Sequence, residues 1–302
     1  METIRTPDER FVDLPDFPFE PHYVEIDDLD GGTLRVHHLD EGPVDGPVIV
    51  LAHGEPSWCY LYRHMIPLLV EAGFRCIAPD LVGFGRSDKP LSTSDYTYER
   101  HVAWFRSHIL DALDLTDITL VCQDWGGLIS LRLVAEHPER FARVVAANTL
   151  LGDGTTTIGQ AFFNWRQFAL EVEELPVGAI VNMGSMTELS AEVIAAYDAP
   201  FPTEEFKAGA RIFPQLVPTE FDSPSAAQNR DAWASLATFT KPFLTAFSDS
   251  DPVTKGDDRR FVAEVPGAVG QPHTTIEGGG HFLQEDCGPA LAKVVISFIK
   301  GS

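Results

Sequence analysis

A strand-like run, a turn and a helix-like run around Asp124 limit the folds open to this chain more than any other feature. Residues 118–122 are almost all apolar, and residues 128–134 have the apolar spacing of a helix. A buried strand, a sharp turn and a helix in this order are typical of a nucleophile elbow, where the residue at the tip projects above the sheet. Strand and helix crowd each other there, so the positions two before and two after the tip must be small. Cys122 and Gly126 meet that requirement.

The residue at the tip of such an elbow is usually serine, whereas this chain has Asp124. Aspartate is also common as the N-cap of a helix, because its side chain accepts a hydrogen bond from the first turn. Asp124 alone therefore does not indicate catalysis. Its interpretation depends on whether the other parts of a hydrolytic site follow in the right order.

Strands alternate with helices on both sides of the elbow. Short continuous apolar runs predict strands buried on both faces, and a turn signal at residues 30–32 joins the first two strands into a hairpin. This alternation predicts an α/β fold with a mostly parallel, doubly wound sheet. The predicted strands are residues 23–26, 34–39, 48–52, 76–78, 118–120, 144–147, 242–247 and 274–276; the predicted helices are residues 61–72, 98–113, 128–134, 188–197 and 291–299.

The alternation stops after residue 152 and resumes beyond residue 228. Residues 153–228 are rich in aromatic residues and proline, and their apolar periodicity is helical where it exists. We therefore expect residues 1–152 to form the first part of an α/β core, residues 153–228 a helical cap, and residues 229–302 the second part of the core.

Charge and cysteine usage exclude several classes of protein. The 302 residues carry a formal charge of −23, which argues against binding to nucleic acid or to an anionic membrane surface. No apolar run is long enough to cross a bilayer, and the N-terminus lacks the apolar region of a signal peptide. The four cysteines are scattered without metal-binding spacing. These features predict a reduced, cytoplasmic protein without a metal site.

Two further polar residues follow predicted strands beyond the cap. Asp251 comes after the strand at 242–247, and His281 comes after the strand at 274–276. The carboxyl ends of parallel strands lie at one edge of a sheet, where ligands bind. Asp124, Asp251 and His281 are therefore expected to meet there, although an Asp-Pro turn or a lone histidine is more often structural.

The order nucleophile, acid, histidine resembles that of the α/β-hydrolase family, over nearly the whole chain. Within that family the chain resembles the haloalkane dehalogenases. The Asp-Trp-Gly-Gly element is shared by dehalogenases and epoxide hydrolases, and the other motifs are common to many α/β-hydrolases. The motifs are HGEP at 53–56, PDLVGFGRS at 79–87, QDWGG at 123–127 and GHF at 280–282.

The resemblance implies a role for each residue of the site. Asp124 would be the nucleophile, His281 the general base, and Asp251 the acid that orients the histidine. The backbone N–H groups of Glu55 and Trp125 would form the oxyanion hole. An aspartate suits this chemistry because it is already ionised at neutral pH and can displace a leaving group from saturated carbon.

The resemblance also implies how a departing halide is held. Trp125 would supply one indole N–H, which donates and cannot accept. In one dehalogenase subfamily the second donor is an asparagine at the position of Glu55, and an ionised glutamate cannot replace it. In another it is a tryptophan of the cap, which corresponds to Trp165. The acid after the cap fits this second subfamily, because the alternative acid position is occupied by neutral Asn148.

The sequence favours a small apolar halogenated substrate, with water as the second reactant and halide as a product. It predicts no metal or organic cofactor, and the family's usual state predicts a monomer. An epoxide hydrolase, a haloacid dehalogenase and a catalytically silent binding protein remain alternatives. Epoxide hydrolases typically use two cap tyrosines as acids, and the expected cap has only Tyr197. The residues expected to line the pocket are Phe162, Phe163, Phe168 and Phe282.

Overall fold

The computed structural model of the protein describes residues 1–301, and these form one eight-stranded sheet covered by helices and a separate two-stranded ribbon. The strands are β1 (Thr3–Ile4), β2 (His22–Asp27), β3 (Thr33–Glu41), β4 (Val48–Ala52), β5 (Arg75–Pro79), β6 (Lys89–Pro90), β7 (Ile118–Gln123), β8 (Phe141–Ala147), β9 (Phe243–Ser248) and β10 (Thr274–Ile276). The α-helices are α1 (Ile66–Glu71), α2 (Tyr98–Arg106), α3 (Trp125–Glu136), α4 (Gln160–Glu171), α5 (Val177–Gly184), α6 (Ala191–Asp198), α7 (Ala208–Leu216), α8 (Ala226–Leu236), α9 (Asp258–Glu264) and α10 (Leu283–Lys300).

The large sheet has the order β10-β9-β8-β7-β4-β5-β3-β2. Neighbouring strands from β10 to β5 are parallel, while β3 is antiparallel to both β5 and β2. The predicted hairpin and the mostly parallel sheet are therefore confirmed. Because the chain leaves β4 toward β5 and then returns to place β7 on the other side, β4 and β7 flank the topological switch point, where open α/β sheets bind ligands.

Alternate residues of the central strands face two separate parts of the core. On β4, Val50 packs into the cluster that includes residues of α2 and α3, whereas Leu51 packs into the cluster that includes residues of α1 and α10. Every residue of β7 is buried. This burial on both faces explains why the strands read as continuous apolar runs rather than as alternating ones.

The predicted helices differ from the observed ones at their ends, and three of them also differ in form. The helix expected at 61–72 is a tight turn at Cys59–Tyr62 followed by α1, whose first turn contains Pro67, a residue preset for that position. The helix expected at 98–113 is α2 continued by a wider π-type turn at Ser107–Ala112. The last helix starts eight residues earlier than expected, because a kink at Cys287 accommodates Pro289.

The segment between β8 and β9, where we expected a cap, contains helices α4 to α8. Helix α4 packs against α7 and α5 against α6, whereas α8 packs against α3 of the core. The boundary expected at residue 228 falls inside α8. The contacts of this helix with α3 place it with the core. Across residues 1–301, none of the helices has both the length and the apolar character needed to cross a bilayer.

Candidate active site

Asp124 occupies the sharp turn between β7 and α3. Its backbone has φ 50° and ψ −127°, a conformation that is rare for a residue with a side chain. The turn is held by hydrogen bonds from the Asp124 N–H to the Asn148 carbonyl (2.9 Å) and from the Thr149 hydroxyl to the Asp124 carbonyl (2.7 Å). The side chain keeps about a fifth of its surface accessible, at 18% exposed. The strained backbone of Asp124 directs its side chain out of the turn and into the cavity.

The glycines around the turn allow the strand, helix and preceding loop to approach one another. A Cβ on Gly126 would lie 2.1 Å from the Ala52 carbonyl oxygen, and one on Gly54 would lie 2.2 Å from Oδ1 of Asp124. Neither position has room for a side chain. The small residue required two positions after the tip is therefore explained by the backbone of β4.

Asp251 and His281 lie beside Asp124, as their positions after β9 and β10 predict. The Nδ1 atom of His281 is 3.1 Å from Oδ2 of Asp251, and its Nε2 atom is 3.5 Å from Oδ2 of Asp124. Asp251 also accepts N–H groups of Val253 (2.8 Å) and Thr254 (3.2 Å) and the Thr254 hydroxyl. These contacts fix the orientation of the Asp251 carboxylate beside the imidazole.

The two carboxylates determine the charge state of the histidine. Burial alone would lower the pKa of His281, but the charge of Asp251 and the contacts with Asp124 raise it to about 10. Burial alone would raise the pKa of Asp251, but the imidazolium and the hydrogen bonds lower it to about 2. At neutral pH these contacts favour an imidazolium between the two carboxylates.

A backbone donor holds the first oxygen of the Asp124 carboxylate. The Glu55 N–H, in the loop after β4, donates to Oδ1 at 2.7 Å. Trp125 follows Asp124 and is the first residue of α3, so its N–H has no acceptor within that helix. The two N–H groups therefore belong to the segments that follow β4 and β7.

A cavity of about 200 Å³ lies above these residues, between the sheet and the cap. Its wall is mainly apolar, and the polar side chains in it belong to Glu55, Asp124 and His281, with the indoles of Trp125 and Trp165. The lining residues are Glu55, Pro56, Asp124, Trp125, Leu128, Leu150, Phe162, Trp165, Phe168, Ile180, Met183, Gly184, Pro214, Val217, Pro252, Val253, His281 and Phe282.

Three of the four expected phenylalanines lie in this wall, and Phe163 does not. Phe162 and Phe163 are consecutive on α4, and consecutive helical residues point about 100° apart. Phe162 faces the cavity, so Phe163 is turned toward Arg166, whose guanidinium lies 5.1 Å from its ring centre. The expectation for Phe163 is therefore corrected.

Glu55 lies in an environment that disfavours its charged form. Its side chain is buried, with 4% exposed, and Oε1 has no hydrogen-bond partner among the described residues. Burial and the charge of Asp124 raise the pKa of Glu55 well above its usual range. The side chain borders the cavity beside Asp124.

Gln123 and Asn148 also hold the histidine loop, and the sequence reasoning gave neither of them this role. The Gln123 side-chain N–H₂ lies 3.2 Å from the His281 carbonyl and 3.3 Å from its Nε2. The Asn148 amide donates to the carbonyls of Gly280 (2.8 Å) and His281 (3.1 Å). Their positions at the ends of β7 and β8 were the feature of the sequence that could have indicated this role.

Comparisons with known proteins agree with this geometry. The sequence model of the α/β-hydrolase fold family matches residues 47–286. The chain is 58% identical to a haloalkane dehalogenase of Psychrobacter cryohalolentis, over 99% of this chain and 98% of that protein. The chain belongs to the haloalkane dehalogenases. A second dehalogenase, from Mycolicibacterium paratuberculosis, is 50% identical over 99% of this chain and 98% of its own length.

A solved structure extends the likeness of this dehalogenase family member to three dimensions. The haloalkane dehalogenase of Paraglaciecola agarilytica superposes with a TM-score of 0.90 at 35% identity, covering 100% of this chain and 99% of the other. The sequence-based assignment to the family and its α/β-hydrolase fold is confirmed. The Paraglaciecola dehalogenase is described as tetrameric; that our chain is a monomer stays a prediction.

Proposed function

We propose that this protein hydrolyses the carbon–halogen bond of small haloalkanes, giving an alcohol, a halide ion and a proton. The observation that carries the proposal is an aspartate at the elbow, within 3.5 Å of a histidine that a second carboxylate orients, beneath an apolar cavity. The cavity lies between the core and a cap that we assign to residues 153–228, less the part of α8 packed on the core.

In the first half-reaction Asp124 attacks the carbon that bears the halogen. Oδ1 is held by the Glu55 N–H, which leaves Oδ2 as the attacking atom. A bond forms between Oδ2 and carbon while the carbon–halogen bond breaks, and the halide leaves with its electron pair. The product is an alkyl ester of Asp124.

The halide leaves toward indole donors. Trp125 and Trp165 both line the cavity. Trp125 is fixed by the rings of Phe213 (4.6 Å between centres) and Tyr98 (5.1 Å). We assign the two indole N–H groups as halide donors, because an indole N–H donates a hydrogen bond and cannot accept one.

In the second half-reaction water attacks the carbonyl carbon of the ester. Esterification removes the charge of Asp124, one of the causes that raise the pKa of His281, so the histidine becomes able to accept the proton. The oxyanion that forms on Oδ1 is stabilised by the N–H groups of Glu55 and Trp125. As the tetrahedral intermediate collapses, its bond to the alkyl oxygen breaks and His281 returns the proton to the departing alcohol. The carboxyl group of Asp124 then loses its own proton and is again a carboxylate.

The arrangement gives little support to the alternative substrates. Epoxide opening needs an acid for the alkoxide, and among residues 1–301 no tyrosine lines the cavity. The hydroxyl of Tyr197 donates to the Glu285 carboxylate instead. A haloacid would need a cation for its carboxylate, and the described part of the cavity wall contains neither arginine nor lysine.

The proposal is tested with matched panels of bromoalkanes, chloroalkanes and epoxides of the same chain length. We expect release of halide and protons from haloalkanes, bromides faster than chlorides, and no diol from epoxides. Diol formation without halide release would identify an epoxide hydrolase. Binding of haloalkanes without turnover of any compound would identify a silent binding protein.

The proposed change of charge state gives a separate prediction about His281. Asp124→Asn removes the charge that esterification would remove, so the pKa of His281 should fall from about 10 by about 1 to 3. Titration of the imidazole nitrogens by NMR measures both values. An unchanged pKa would mean that Asp251 alone holds the proton, and esterification would then not produce a base.

A further inference from the structure

The loop that bears the catalytic histidine is bonded to the end of a cap helix. The His281 N–H donates to the Gly184 carbonyl at 2.7 Å, and the Phe282 N–H lies 3.3 Å from the same oxygen. Gly184 is the last residue of α5, and it lines the cavity with Ile180 and Met183 of the same helix. The base and one wall of the cavity therefore share a direct backbone contact.

A single carboxylate closes this contact into a ring of hydrogen bonds. Asp286, in the first turns of α10, accepts the Gly280 N–H at 2.8 Å, immediately before His281. From the cap it accepts the N–H groups of Met186 (2.9 Å to Oδ2, 3.0 Å to Oδ1) and Thr187 (2.7 Å). Charged acceptors bind backbone N–H groups more strongly than neutral ones. Asp286 also lies near the helix N-terminus, which favours its charge.

The packing beside this ring of hydrogen bonds leaves no space for a Cβ at either of two glycines. A Cβ on Gly184 would lie 2.6 Å from the Phe282 ring, and one on Gly280 would lie 2.4 Å from the Gly184 carbonyl oxygen. The two segments therefore meet backbone to backbone. A shift of the segment after α5 must move the backbone on either side of His281, as long as the carboxylate of Asp286 joins them.

We propose that Asp286 is a positioning residue for the second half-reaction: it joins the cap to the histidine loop and so holds His281 where it can activate water on the Asp124 ester. The proposal rests on the ester mechanism given above. Asp286 touches no reacting atom, and its contribution acts through the placement of the imidazole. Misplacement of a catalytic group by a fraction of its contact distance costs up to about 100-fold in rate.

Asp249 provides a matched control. Its carboxylate also accepts a backbone N–H of the same glycine-rich loop, that of Gly278 at 3.0 Å, and it is partly exposed like Asp286. Its hydrogen bonds do not extend to the cap in the described chain. Asp249→Ala thus removes a loop contact without separating the loop from the cap.

The experiment compares Asp286→Ala, Asp286→Asn and Asp249→Ala with n-butyl bromide as the substrate. Rapid-quench bromide release measures ester formation, and butanol release measures ester hydrolysis. In Asp286→Ala we expect hydrolysis to slow by about 10-fold to 100-fold while ester formation changes by less than about 3-fold, so that mass spectrometry finds the ester accumulating on Asp124. Asp286→Asn keeps one acceptor oxygen, so its rate of ester hydrolysis should lie between those of Asp286→Ala and the unsubstituted enzyme. In Asp249→Ala the rates of ester formation and ester hydrolysis should not diverge in this way.

Melting temperatures of all variants separate positioning from folding. The inference is overturned if both steps slow equally, if Asp249→Ala reproduces the split, or if Asp286→Ala loses melting temperature without accumulating ester. It is also overturned if Asp286→Asn and Asp286→Ala both keep the wild-type hydrolysis rate. Absence of any ester in the unsubstituted enzyme would instead reject the proposed function itself.

Discussion

Replacing His281 with phenylalanine is expected to stop the enzyme after a single turnover, with the alkyl group bound to Asp124. Halide departure needs the carboxylate, the in-line approach and the indole donors, and none of these is supplied by the imidazole. Hydrolysis of the ester needs a base, and removal of such a base typically costs about 10² to 10⁴ in rate. Rapid-quench assays should therefore show one equivalent of bromide in a burst, followed by almost no alcohol.

The ester is identified by intact mass and by sequencing of the peptide that contains Asp124. Phenylalanine is close to histidine in shape, and Phe282 already lies against the ring at 5.0 Å between centres. His137, a partly exposed histidine at the end of α3, gives the control substitution His137→Phe, which should turn over normally. Alcohol release at the wild-type rate in His281→Phe would contradict the assignment of the base.

Replacing Asp124 with alanine should abolish both half-reactions. Loss of a covalent nucleophile leaves only binding and orientation, so we expect turnover to fall by at least about 10⁴-fold, with no ester at any time. The variant keeps a Cβ at the strained turn, and the elbow is held by backbone contacts with Asn148 and Thr149, so it should still fold.

The same variant separates halide binding from chemistry. Removing the negative charge beside the cavity should make bromide bind more tightly to Asp124→Ala than to the unsubstituted protein. Adding Trp165→Phe removes one proposed donor and should reverse that gain. Quenching of tryptophan fluorescence by bromide measures the bromide affinity of both variants. Trp104→Phe is the control for an indole outside the cavity. Residual turnover in Asp124→Ala above background would reject this residue as the nucleophile.

Much of the site could be predicted because strand ends can be found in a sequence. Runs such as residues 48–52 and 274–276 are strands with the predicted bounds, and the carboxyl ends of parallel strands must share one edge. Asp124, Asp251 and His281 therefore met as expected, although their catalytic roles stay proposals. The small residue two positions after the tip could be predicted from the elbow pattern, although the atom that excludes a side chain there belongs to β4.

The parts that sequence could not give depend on contacts between distant segments. The direction of Phe163 depends on the rotation of α4 about its axis, and the raised pKa of Glu55 depends on the burial of its side chain. The early start of α10 was not predicted: the helix contains Pro289 and has a kink at Cys287. The bond between Asp286 and the segment after α5 joins residues about 100 positions apart.

The position of the cap in the chain makes it an exchangeable module. Strands β8 and β9 are hydrogen-bonded neighbours, with Val144 opposite Phe243, although the whole cap is inserted between them. The insertion begins after β8 and ends at α8, where the Asn229 amide donates to the Gly152 carbonyl at 2.6 Å, so its two ends lie side by side. A cap grafted from a relative should change which molecules enter the cavity while the nucleophile, acid and base stay in place. Such a graft has one strict requirement, a glycine where the donor helix meets the histidine loop, because that junction has no space for a larger residue.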